Sequence, residues 1–284
     1  MSASGLPVAV VTGASSGIGR ATALLFARSG YHVRATVRRP EAEASLRAEA
    51  ANLPLEVGRL DVADEASVRS FVSDVLARAG RIDVLVNNAG HALLGAIEDL
   101  PRETVRKQFE VNVFGAMQLC REVLPTMRAQ RYGRIVNVSS MAGRVSVPLM
   151  GAYCASKFAL EALSDALRVE AKRFGIRVAI VEPGPVVTRF QATALAESRA
   201  VLESPSVFAP VYASYLREFE THRGASPERV ARVILLAARA RRPRSRYRVR
   251  WRESFLAGLT QILPKGAMDW GTEKAMGLDV VEKA

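Results

Sequence analysis

The first 28 residues constrain the fold more than any other stretch. Leu6-Pro-Val-Ala-Val-Val-Thr reads as a short buried strand, and an amphipathic helix follows to about Arg28. Between them lies Thr12-Gly-Ala-Ser-Ser-Gly-Ile-Gly19. Glycines let a backbone approach a ligand closely, and a helix start offers free N–H groups and a positive dipole end. A strand, a glycine-rich turn and a helix in that order make a phosphate-binding corner, here spaced G-x-x-x-G-x-G. The same residues match G-x-S-x-G through Gly13, Ser15 and Gly17, the spacing of a hydrolase nucleophile elbow. A serine hydrolase using Ser15 needs a histidine after its serine and acid, and only His32, His91 and His222 exist. That reading is kept as the remote alternative.

The rest of the chain repeats the alternation. Strands are expected at His32–Val37, Leu55–Leu60, Asp83–Val86, Gly133–Val138 and Ile176–Glu182. Helices are expected at Glu41–Ala51, Asp64–Ala79, Pro101–Gln130 with a kink near Pro125, and Gly151 to about Arg173. Alternating β and α elements imply a single Rossmann-like, doubly wound parallel sheet of about seven strands with helices on both faces. Ligands in such sheets bind outside the carboxyl ends of the strands. The expected organisation is one domain over residues 1–284, with a core over 6–250. Residues 189–225, rich in aromatics, read as a substrate lid with one or two short helices; a structural excursion or a dimer surface is the alternative. Ser226-Pro-Glu caps a helix to about Arg239. Residues 253–284 read as an amphipathic appendage, with Phe255, Leu256, Leu259, Ile262 and Leu263 on one stripe.

The net charge of +12 has a local source, since eight arginines lie between Arg239 and Arg252. An anionic partner is one reading. The other is a strand at Arg246-Tyr-Arg-Val-Arg-Trp-Arg with Tyr247, Val249 and Trp251 inward and arginines outward; it is preferred, so no nucleic acid is expected. Peripheral membrane contact through the basic C-terminal region is a further option. No apolar run is long enough to span a bilayer, and the N-terminus lacks a secretory pattern. Two cysteines, Cys120 and Cys154, suggest neither a disulfide framework nor a metal site. A reducing cytoplasm is expected.

Polar residues gather at the strand ends. Tyr153 and Lys157 are four apart on a helix and share a face. A cation there is expected to lower the phenol's pKa towards neutrality and make it a usable acid or base. Val37 followed by Arg38 and Arg39 lacks the acid that an NAD site places there and suits a 2′-phosphate. Asp61 is open to two readings, an adenine contact or the ordering of a turn. Asn87-Asn-Ala-Gly90 either holds turns together or touches a ribose. Asn112, inside a helix, calls for a specific partner.

Taken in order, Thr12-Gly-Ala-Ser-Ser-Gly-Ile-Gly, Asn87-Asn-Ala-Gly, Asn112, Ser140, Tyr153-Cys-Ala-Ser-Lys157 and Pro183-Gly resemble the short-chain dehydrogenase/reductase family. Tyr-Cys-Ala-Ser-Lys-Phe-Ala-Leu-Glu and Glu-Pro-Gly-Pro-Val resemble the branch holding 17β-hydroxysteroid and retinol dehydrogenases. The resemblance implies that Tyr153 is the acid/base, Lys157 lowers its pKa and holds the nicotinamide ribose, and Ser140 bonds the substrate oxygen. It implies that Asn112 holds a relay water. Gly13, Ser15, Ser16, Ile18 and Gly19 would cradle a pyrophosphate, and Asp61 and Val62 would flank adenine. Asn88, with Ala89 and Gly90 beside it, would meet the adenosine ribose. Pro183, Gly184, Val186 and Thr188 would border the nicotinamide. His91, Leu93, Leu94, Met141, Val147, Leu149, Met150, Val186 and Phe190 are expected on the substrate side. Their apolar character predicts a bulky lipophilic ketone or alcohol. The expected cofactor is NADP(H), with NAD(H) the alternative, and the expected assembly a homodimer or homotetramer. A cofactor-sensing binding module on the same fold is the competing function.

Overall fold

A computed structural model of the chain describes residues 5–221, 224–250, 264–276 and 278. Its centre is a sheet of seven described strands, all paired in parallel, in the order β3-β2-β1-β4-β5-β6-β7. The strands are β1 (Val8–Val11), β2 (His32–Val37), β3 (Leu55–Arg59), β4 (Val84–Asn87), β5 (Gly133–Val138), β6 (Ile176–Glu182) and β7 (Arg246–Arg248). β1, β2, β4 and β5 are buried at every position, as sheets covered on both faces must be. One face packs against α1 (Gly17–Arg28) and α9 (Pro227–Arg239), where Phe26, Leu46 and Ile234 are fully buried. The other packs against α3 (Glu65–Ala79) and α5 (Gly115–Gln130) through Val68, Val75, Leu119 and Val123. The remaining helices before the cap are α2 (Pro40–Glu49), α4 (Arg102–Phe109) and α6 (Gly151–Ala171). Strand order reverses between β1 and β4, which opens a crevice at their carboxyl ends.

Pro125 does not interrupt α5, which runs on through it with the proline exposed. The break falls earlier, where α4 passes into a π-helical turn, Glu110–Phe114, before α5. A π-turn carries one extra residue within a helical run. Here it holds the buried Asn112.

The arginine strand also needs correcting. β7 covers only Arg246–Arg248, and its arginines do not point into solvent. Arg246 and Arg248 pair with Glu182, whose side chain is wholly buried. A buried carboxylate requires such partners, while Tyr247 and Val249 pack on the core as the period-two pattern predicts. Trp251 and the apolar stripe Phe255 to Leu263 lie outside the described residues.

Residues 189–225 hold two helices, α7 (Phe190–Leu202) and α8 (Ala209–Thr221). They are docked against the core. Ser198 Oγ accepts from Leu94 N at 2.7 Å, and Tyr212 Oη accepts from Ala96 N at 2.8 Å. Tyr212 also donates to Asp99, in the short 3₁₀ turn Ile97–Asp99. A last described helix, α10 (Lys265–Met276), brings Met276 and Leu278 against Leu149, Val211 and Tyr212. Among the described residues no helix is long and apolar enough to cross a membrane.

Candidate active site

A cleft of about 1540 Å³ runs across the carboxyl ends of the strands, from Arg38 at one side to Tyr153 and Phe190 at the other. Its floor is the glycine corner. Gly13 and Gly17 have φ of +67° and +54°, the left-handed region that glycine adopts without strain. A Cβ on Gly19 would come within 2.2 Å of the Gly13 carbonyl oxygen. The Thr12 hydroxyl donates to Val86 O and accepts from Asn88 N and Ala89 N, tying β1 to the end of β4. Asn88 Nδ2 donates to Thr12 O at 2.9 Å and Gly13 O at 3.3 Å, so its amide N–H groups shape the corner while the residue lines the cleft. Ser16 precedes α1 without capping it, leaving the helix N–H groups to the cleft.

Ser15, Ile18, Arg38, Asp61, Val62, Gly90, Pro183, Gly184, Val186 and Thr188 all line this cleft. Arg20, Arg39 and Ser45 join Arg38 at its end. Asp61 Oδ1 accepts from Ala63 N at 3.0 Å, so it orders the turn while bordering the cleft. A crowded glycine cradle and a free helix start fit the pyrophosphate of a dinucleotide, and of the arginines at the cleft's end Arg20 is paired with Glu49. Among the described residues no His, Cys, Asp and Glu group could hold a metal.

At the other end the polar set converges. Asn112 Nδ2 donates to His91 O at 2.9 Å and Ser156 Oγ at 3.0 Å, while its Oδ1 accepts from His91 N at 3.0 Å. Lys157 Nζ donates to Val138 O at 3.0 Å and lies 5.8 Å from the centroid of the Tyr153 ring. A Cβ on Gly90 would sit 3.0 Å from Asn112 Oδ1 and 3.6 Å from Lys157 Nζ, so the bare glycine keeps that space open. Ser140 Oγ accepts from Ala142 N, and Ser140 borders the cleft. Neighbouring Ser139 is more deeply buried and lies beside Glu161.

The electrostatics differ from the expectation in one respect. The Tyr153 phenol is pushed up to about 12 by burial, with the Ser140 hydroxyl drawing it the other way. Lys157 does not lower it, because desolvation of the phenol dominates and the ammonium is turned to the Val138 carbonyl. Burial in turn brings Lys157 down to about 8, opposed by Glu161. His91 is held below its usual range by burial, with Glu197 opposing and Arg38 and Lys157 reinforcing the shift.

The predicted substrate side divides. His91, Met141, Val147, Met150 and Phe190 line the cleft, and the Phe190 ring is 5.7 Å from that of Tyr153. Leu93, Leu94 and Leu149 do not. Leu93 and Leu94 are buried in the core, and Leu149, at φ +62°, packs on Ala96, Val211 and Tyr212. Counting apolar residues near the catalytic motifs cannot separate a cavity wall from the layer behind it. Glu197 and Tyr215, in the segment expected to be a substrate lid, line the cleft, and sequence reasoning missed Met276, which α10 brings there from far along the chain. It also missed Thr12 as a structural brace and Glu161, Glu182 and Arg246 behind Lys157.

Comparison with known proteins places this geometry in context. The family described as short chain dehydrogenase matches residues 7–199. The chain is 37% identical to retinol dehydrogenase 8 of Bos taurus, over 91% of this chain and 86% of that protein. It is 36% identical to 17-beta-hydroxysteroid dehydrogenase type 1 of Homo sapiens, over 84% of this chain and 76% of that protein. A Burkholderia phymatum short chain dehydrogenase/reductase solved in complex with NAD superposes with a TM-score of 0.80 at 26% identity, covering 89% of this chain and 92% of the other. A metagenomic short-chain oxidoreductase in complex with NADP gives 0.69 at 30% identity, covering 85% and 96%.

Proposed function

The chain belongs to the short-chain dehydrogenase/reductase family, and we propose that it is an NADP(H)-dependent oxidoreductase interconverting a ketone or aldehyde and an alcohol on a bulky lipophilic substrate. The observation that carries this reading is one cleft with the glycine corner and Arg38 at one end and Ser140, Tyr153 and Lys157 at the other, with Asn112 buried behind His91. Val147, Met150 and Phe190 pack with Tyr153, and Met141 and Met276 also line the cleft, which suits an apolar body.

Gly13, Ser15, Ser16, Ile18 and Gly19 would hold the pyrophosphate, Arg38 the 2′-phosphate, and Asp61 and Val62 the adenine. Ala89, Gly90, Pro183, Gly184, Val186 and Thr188 would border the rest, with Tyr153 and Lys157 at the nicotinamide ribose. Bound there, the nicotinamide supplies or accepts hydride. The protein's part is proton handling and placement. Tyr153, protonated at neutral pH, donates its hydroxyl proton to the substrate oxygen during reduction. Ser140 Oγ–H stabilises charge developing on that oxygen. Lys157 Nζ stands 5.8 Å from the centroid of the ring that is left as phenolate. Asn112 holds His91 and the π-turn in register and leaves the Gly90 side of Lys157 open.

The test is carbonyl-dependent loss of NADPH absorbance across steroids, retinoids, aryl ketones and acyl ketones. Turnover is expected to vanish in Tyr153→Phe; robust turnover by that variant sinks the mechanism. Arg38→Ala is expected to weaken NADPH far more than NADH, and equal losses refute the 2′-phosphate role.

The binding-module alternative drew on the arginine cluster, and Arg246 and Arg248 are engaged with buried carboxylates. The hydrolase alternative has no supporting contact, since no histidine is hydrogen-bonded to Ser15 among the described residues. A homodimer or homotetramer through α5 and α6 is part of the proposal. Their outer faces expose Met117, Phe158 and Leu163 beside a groove of about 680 Å³. Cytoplasmic residence also belongs to this proposal.

A further inference from the structure

The arginine-rich stretch reaches the active site from behind. Glu182 ends β6 immediately before Pro183 and Gly184. Glu161 lies on α6 one turn after Lys157, on the same helical face, and both carboxylates are buried. Two carboxylates taken out of water near each other cannot both stay ionised without cations. Arg246 supplies one. Its Nε lies 3.1 Å from Glu182 Oε1 and 3.0 Å from Glu161 Oε2, and its Nη2 is 2.5 Å from Asp165 Oδ2. Arg248 Nε takes Glu182 Oε2 at 2.9 Å, and Arg144 Nε stands 3.9 Å from Glu182 Oε1.

The groups around Glu161 therefore come from five places: Lys157 and Asp165 on its own helix, Ser139 after β5, Glu182 on β6, Arg246 on β7, and Arg144 beyond Glu182. The Ser139 hydroxyl faces Glu161 without closing a well-aligned hydrogen bond, and Ser139 Oγ and Glu161 Oε1 are both buried without a formed partner. Around Lys157 stand Tyr153 and Glu161 on α6, Asn112 on the π-turn, His91 after β4 and the Val138 carbonyl.

We propose that Arg246 is a positioning residue for the reaction: it holds Glu161 as a buried anion one turn from Lys157, and so keeps Lys157 a cation in a water-poor site. The proposal rests on the reading of Lys157 as part of the catalytic set. Burial lowers Lys157, and Glu161 is the group that opposes this. Burial raises Glu161 itself; Ser139 and Arg246 draw it down while Glu182 pushes it up. Without Arg246, Glu161 and Glu182 are left to share a proton, and the support behind Lys157 goes.

The sequence holds six lysines, few enough to follow individually by NMR in protein labelled with ¹³C at lysine Cε. Lys157→Arg identifies the Lys157 resonance. Its titration midpoint is expected to fall by about one pH unit in Glu161→Gln and in Arg246→Met, and by less in Arg246→Lys, which keeps a cation. Glutamine is nearly isosteric with glutamate, so Glu161→Gln decides the matter even if Arg246→Met does not fold. The titration needs neither substrate nor turnover, so its failure and a failure of the proposed activity are separate results. A Lys157 midpoint unmoved in Glu161→Gln overturns the proposal.

Discussion

With its ammonium hydrogen-bonded to the Val138 carbonyl and little surface exposed, Lys157 titrates at about 8 instead of 10.5. The unfolded chain therefore binds this proton more tightly than the folded one. The cost is fully present below about pH 8 and fades as pH rises towards 10.5. A shift of that size corresponds to about 3 kcal/mol. Lys157→Met is expected to abolish turnover while stabilising the ligand-free protein by about 2 kcal/mol at pH 7, a gain that vanishes near pH 10.5. Denaturant unfolding at both pH values checks it. Tyr153 behaves in the opposite sense. Its phenol, raised from 10.0 to about 12, contributes stability that is present below pH 10 and lost as pH climbs to about 12. Tyr153→Phe should therefore lose less of its thermal midpoint than the parent over that range. Ser140→Ala should lower kcat by about 10²- to 10³-fold with a smaller change in KM. The four polar residues of this set were legible because their spacing and order are specific. Their charge states were not, because burial comes from elements distant in the chain.

At the scale of elements, the glycine corner and the π-turn do the placing. Gly19→Ala drives a Cβ into the Gly13 carbonyl, so backbone must move at the phosphate-binding corner. A stability loss of about 2 kcal/mol is expected, together with weaker NADPH binding by fluorescence titration; retained affinity would show that the corner does not hold the cofactor. The corner was legible from glycine spacing between a strand and a helix. The π-turn was misplaced because proline is the usual signal for a helix break. Here the break comes from Asn112, held by His91 and Ser156, while Pro125 stays on an exposed side of α5. The docking of α7 and α8 was likewise illegible, since Leu94–Ser198 and Ala96–Tyr212 join residues more than a hundred apart.

For the whole molecule, the alternation of strands and helices was enough to give a parallel sheet with a crevice at the switch in strand order. It does not show which helices stay uncovered. The exposed apolar residues of α5 and α6 are expected to pair with a second copy. Met117→Glu combined with Leu163→Glu should turn the assembly to monomer in sedimentation velocity; an unchanged sedimentation coefficient would place the interface elsewhere. The seventh strand has a consequence for the order in which the chain is completed. Glu161 meets its cation 85 residues further on, and Glu182 its own 66 residues further on. During synthesis, six strands and the helix bearing Tyr153 and Lys157 emerge before Arg246 and Arg248, the cations nearest those two carboxylates, are translated. Completion of the charge cluster behind Lys157 therefore waits for β7, long after Tyr153 and Lys157 have been made.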